Sequence, residues 1–169
     1  MVMMRIPFRT SAIFIFWASV SMAQEKVLSP EQMQKLIPVE VKGFEDDGDV
    51  RSKLIQIGTI QYSLCEHNFV HGKQKIRVLL FDYKDAPIMY SQATKVWQNY
   101  TPVISDSETL RPLSMTNCSG WESYRKGSNT SQVYLGICDR FFLNVTGEGV
   151  DFETMKSVIS QFKFEQFLK

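Results

Sequence analysis

Ligand-type side chains crowd one short stretch of the chain, Cys65-Glu66-His67-Asn68-Phe69-Val70-His71. Thiolate, imidazole and carboxylate all bind metals. Residues two apart on a strand point to one face, so Cys65 and His67 form a ligand pair there. His67 and His71 are the only histidines, and Cys65, His67 and His71 are the metal-ligand candidates. A closed structural zinc site needs a fuller ligand set than these supply. Ordinary strand and loop histidines are therefore the competing reading. Cys65 and His67 are also, on paper, a nucleophile and a base. One strand ties them together, however, and no third group to orient the base and no oxyanion-hole motif is recognisable.

Other chemistry rests on isolated residues. Asp139 interrupts the apolar alternation of Val133, Leu135, Ile137, Phe141, Leu143 and Val145. It is read either as a bulge that breaks a long strand or as a pocket acid of a small hydrolase. Asp82 and Asp85 are further carboxylates, and Asp85 is accounted for as a helix cap. Glu45–Asp49 (EDDGD) is an acidic turn without the spacing or terminal Glu of a calcium loop. Trp121, Tyr124 and Tyr134 are candidates for an aromatic surface that binds sugar or peptide, unless a helix covers them. Asn99, Asn117, Asn129 and Asn144 begin Asn-x-Ser/Thr triplets, which chance explains. There is no Gly-x-Ser-x-Gly, no Gly-rich phosphate loop and no His-Glu-x-x-His.

The elements that would position these residues follow from periodicity. Leu113–Thr146 reads as two long strands joined by the three-residue loop Gly127-Ser128-Asn129. Folding about Ser128 sets Trp121 opposite Leu135, Tyr134 opposite Glu122, and Cys118 opposite Cys138. A Cys118–Cys138 disulfide is then expected, worth ~3 kcal/mol for a loop of about 20 residues, with Cys65 left over. Leu54–His67 and Lys75–Tyr83 form a second hairpin, with symmetry about Val70. Ser29-Pro30-Glu31-Gln32 is a capping box that opens a helix ending before Pro38. A helix capped by Asp85 carries Met89, Ala93, Val96, Trp97 and Tyr100. A last helix, capped by Asp151, buries Phe152, Met155, Val158, Ile159 and Phe162. Gln24–Leu28 reads as a loose arm. The expected fold is α+β, a two-layer, mainly antiparallel sheet of two hairpins with helices on it, in the order α-β-β-α-β-β-α.

Composition supports a compact chain. Of 169 residues 22% are charged and 12% aromatic. Arg5 and Arg9, the apolar run Ser11–Val20 and then Ser21-Met22-Ala23 have the layout of a signal peptide cut after Ala23. Residues 24–169 would form a single domain. Without its leader the chain holds 17 Lys and Arg against 18 Asp and Glu, a net charge of −1. That balance gives no support for a nucleic-acid partner. No later apolar run is long enough for a transmembrane anchor.

Certain stretches resemble uncharacterised exported proteins of Bacteroidota type. They are Leu36-Ile37-Pro38 followed by Gly43-Phe44, the strand Ile76–Tyr83, and Arg140–Val150 with a helix and a terminal Phe-Leu after it. The resemblance implies a periplasmic or envelope location and no assigned activity or cofactor. The expected function is an exported, non-enzymatic binding or accessory domain whose partner is an envelope protein or a small ligand. The alternatives are a metal- or haem-handling protein using Cys65, His67 and His71, and a small secreted hydrolase.

Overall fold

The computed structural model describes residues 26–48 and 50–168. The signal peptide expected over residues 1–23 lies outside the described residues, as does Asp49. The elements run α1 (Pro30–Gln34), β1 (Glu45–Asp46), β2 (Arg51–Ile57), β3 (Ile60–His71), β4 (Gln74–Asp85), α2 (Pro87–Lys95), β5 (Val103–Ile104), β6 (Glu108–Met115), β7 (Cys118–Arg125), β8 (Thr130–Ile137), β9 (Phe141–Glu148) and α3 (Phe152–Ile159). Short 3-10 turns follow α2 at Val96–Asn99 and α3 at Phe164–Leu168.

The strands form one nine-stranded sheet in the order β1-β3-β4-β9-β8-β7-β6-β5, with β2 also paired to β3. Every pairing is antiparallel. This corrects the expected two-layer α+β arrangement of two hairpins and three helices. Three of the strands read as single are double, the third being β8 and β9, which part at Cys138-Asp139. Gly58, at φ +62, turns the chain between β2 and β3, and Asn117, at φ +58, turns it between β6 and β7. Gly and Asn are the residues that enter this left-handed region at least cost.

The register also differs, for a reason of loop length. Arg125 pairs with Thr130, so the β7–β8 loop is Lys126–Asn129, one residue longer than expected. Trp121 therefore faces Tyr134, and Cys118 faces Ile137 rather than Cys138. A slip of one residue moves side chains to the other face. The β3–β4 turn lies at Gly72-Lys73, with His71 opposite Gln74, beyond the expected centre at Val70.

One face of the sheet carries the core. Phe69, Ile76, Val78, Leu80, Val133, Leu135, Leu143 and Val145 pack under Met33 of α1 and Met155, Val158 and Ile159 of α3. Phe167 docks edge-on against Phe141, with ring centroids 5.1 Å apart. The other face carries a half-buried aromatic tier. Phe81 stacks on Tyr83, and Trp97 from the turn after α2 stacks on Phe142 at 6.0 Å. Helix α2 buries none of its residues fully, and its N-cap is Ala86, without a side-chain cap bond, rather than Asp85. Residues 26–28 are not a loose arm. Leu28 N–H donates to Asp82 at 2.8 Å, and the Arg140 guanidinium donates to the Lys26 carbonyl at 3.2 Å. No helix among the described residues is long and apolar enough to cross a membrane.

Candidate binding site

Strand β3 does bring Cys65 and His67 to one face, but that face is the core. Cys65 is fully buried opposite Leu80, and His67 lies opposite Val78 with its ring 4.1 Å from that of Phe69. His67 Nε2 meets Asp46 Oδ1 at 3.0 Å. The Gly48 N–H and then His67 hold the Asp46 carboxyl below its usual range. The acidic turn thus spends Asp46 on its own backbone and on His67. His71 sits at the exposed end of β3, edge-on to Phe44. Among the described residues no three or more His, Cys, Asp or Glu are grouped to hold a metal.

Asp139 lies at a strand break, the β8–β9 turn. Cys138 and Asp139 have φ of +53 and +51, and Arg140 N–H closes the turn on the Ile137 carbonyl at 3.1 Å. Asp139 is exposed at the rim of a shallow hollow shared with Tyr83, Lys84 and Pro87. The turn adjoins Tyr83, whereas His71 pairs with Gln74 at the other end of β4 and His67 with Val78 near its middle. Neither histidine adjoins Asp139.

The three cysteines are thiols. Burial, and then the neighbouring Cys138, push the Cys118 thiol up to about 11. Burial also raises Cys65 and Cys138.

The aromatic candidates separate. Trp121 and Tyr134 are cross-strand neighbours under the turn that follows α2, where Tyr100 meets Trp121 edge-on at 5.5 Å. Tyr124 lies on the opposite face, and its hydroxyl donates to Asn129 Oδ1 at 3.2 Å.

An apolar trough that the sequence reading did not find opens between α3 and strands β6–β8. Asp151 caps α3 by accepting from the Thr154 N–H at 2.8 Å, and this sets Met155, Val158 and Ile159 downward. The helix sits over β8 and β9, and its first residue, Phe152, meets Arg111 of β6. Leu113, Met115 and Val133 are left to form the floor, with Ile159, Phe162 and Phe164 as the wall, around a volume of about 350 Å³. This is within the range of small-ligand cavities. Charged groups gather at one end. Arg111 Nε donates to the buried Glu122 carboxylate. The Arg111 guanidinium and Lys156 Nζ each lie 4.6 Å from the centroid of the Phe152 ring. Lys156 also pairs with Glu153 at 3.0 Å, so each of the two cations at that end has a carboxylate partner. The only signal in sequence was Arg111 two positions before Leu113, on a strand not recognised as separate. The trough can hold an apolar body by contact and a polar end beside these ion pairs, and its lining includes no Cys, His or unpaired carboxylate.

No protein-family profile matches the chain. No curated protein matches it. Among solved structures, the crystal structure of a GTP binding regulator from Thermotoga maritima is similar in chain trace, with 12% identity and a TM-score of 0.44. It covers 83% of this chain and 89% of that one. A likeness at that level carries no argument about what this chain binds.

Proposed function

We propose that the protein is an exported, non-catalytic binding module of the cell envelope, which takes an apolar ligand with a polar end into the trough beside α3. The observation that carries this reading is the apolar floor of Leu113, Met115 and Val133 ending at Arg111 and Lys156. A mostly apolar concavity with a few convergent polar groups is the usual form of a small-molecule site. The leader-like pattern of residues 1–23 supports export.

An anilinonaphthalene sulfonate tests the site, since it joins an apolar body to a polar group. Saturable binding at one site, displaced by decanoate, is expected. Leu113→Asp should abolish it. Lys156→Glu should weaken it several-fold without moving the melting temperature, because Lys156 is exposed. Binding indifferent to both changes would refute the trough. Separately, the exported chain should begin at Gln24 on N-terminal sequencing.

A further inference from the structure

The aromatic face of the sheet has a second end, toward Lys75 and Glu148, that no helix among the described residues covers. Helix α2 and its following turn lie on Gly136, Phe142 and Trp121. Beyond them the sheet is polar. Asn68 is opposite Arg77, Arg77 opposite Thr146, and Thr146 opposite Gln132. These four side chains form one row across β3, β4, β9 and β8. At ~4.8 Å per strand the row is about 14 Å long. Asn144 stands in the adjoining row, beside Tyr134. The row floors a hollow of about 490 Å³.

The chemistry of the hollow is neutral. Its charged residues are Asp47 and Glu148 against Lys75 and Arg77, and these cancel. Arg77 is already bound, through Nε, to Glu66 at 2.7 Å. What remains is an array of uncharged donors and acceptors. Asn68 and Gln132 are half-buried, and their amides have no side-chain hydrogen bond among the described residues. Thr146 donates its hydroxyl proton to Asn144 Oδ1, which leaves the Asn144 NH2 to donate outward.

We infer that this hollow is a binding site for a neutral oligosaccharide. Each sugar hydroxyl both donates and accepts, as an amide does, so a row of amides pairs with a row of hydroxyls. A polyanion would meet Glu148 and Asp47, and a cationic chain would meet Lys75 and Arg77. An extended peptide would need a strand edge to pair with. The row lies on β4, β9 and β8, which are hydrogen-bonded on both sides, and on β3, which is held by β4 and by β1 and β2. This site is independent of the trough, which lies on the opposite face.

The test is calorimetric titration of the full chain with neutral tetrasaccharides (β-1,4-glucose, α-1,4-glucose and β-1,4-N-acetylglucosamine) and with an oligogalacturonate as the charged control. At least one neutral oligomer should bind, and the galacturonate should bind at least tenfold more weakly. Gln132→Ala and Asn144→Ala should each weaken the neutral oligomer about fivefold to tenfold, the value of one or two hydrogen bonds. Their melting temperatures should stay near that of the parent. Leu113→Asp, in the trough, should leave the titration unchanged. Failure of all three neutral oligomers, equal binding of the galacturonate, or indifference to both amide substitutions would each overturn the inference.

Discussion

Asp82 and Arg140 stand 58 residues apart in the chain and meet through two bonds of 2.8 Å, one from Nε and one from Nη2. Asp82 is fully buried, and Arg140 nearly so. The same carboxylate accepts from the Leu28 and Lys84 amides. Neither charge has water to fall back on, so the pair acts as a unit. Removing one partner leaves the other buried and uncompensated, which costs about 3–5 kcal/mol. Asp82→Asn should lower stability by about that amount in urea titration, and amide exchange should rise at residues 26–28. The double change Asp82→Leu, Arg140→Met should cost less than the two single changes added together. An Asp82→Asn protein as stable as its parent would refute this account of the pair.

Two glycines on neighbouring strands should respond unequally to one added methyl group. A Cβ on Gly120 would lie 1.7 Å from the Tyr134 carbonyl oxygen, which is backbone within the sheet. A Cβ on Gly136 would lie 2.6 Å from the Tyr90 hydroxyl, the far end of a side chain on a helix with no fully buried residue. Gly120→Ala must shift a strand and should cost more than the ~1–3 kcal/mol usual for overpacking. Gly136→Ala needs only a small displacement of the Tyr90 and Thr94 side chains and should cost about 1 kcal/mol or less. Melting curves of the two variants decide the order.

The thiols and phenols should make the fold sensitive to alkali. Burial raises Cys118 from 9.0 to about 11, and Tyr83 and Tyr90 from 10.0 to about 12. Between pH 9 and 12 the unfolded chain releases these protons while the folded chain retains them. The unfolded state then binds fewer protons, so stability falls as pH rises through this window and is unaffected below it. Urea midpoints at pH 8, 9, 10 and 11 should decline from pH 9 upward, and Cys118→Ala should flatten the first part of the decline. The thiolate is the reacting form. Iodoacetamide at pH 8 should therefore modify Cys138, the one half-exposed cysteine, before buried Cys65 and Cys118.

Local signals in the sequence carried well where one element decides its own shape. The Ser29 capping box is present in both directions, with Ser29 N–H donating to Gln32 Oε1 and Gln32 N–H to Ser29 Oγ. Asp151 caps α3, and Met155, Val158 and Ile159 face the core. The alternation from Val133 to Val145 marks the inward face of β8 and β9. Partnership between strands was not legible to the same degree. A period of two says which residues share a face of one strand, but not how many residues the loop contains. The extra residue in Lys126–Asn129 set Tyr134 across from Trp121, on the face opposite Tyr124, and removed Cys138 from its place across from Cys118. The trough and the polar hollow are products of partnership. Arg111 reaches Glu122 from the adjacent strand, and Asn68, Arg77, Thr146 and Gln132 come from four strands.

The bonds that bind residues 26–28 to Asp82 and Arg140 also fix how the molecule would be presented on a support. Whatever is joined ahead of Lys26 leaves from the Asp82 end of β4, about 17 Å along the strand from Arg77. A tether attached there would hold the protein by its far end and turn the row of amides outward.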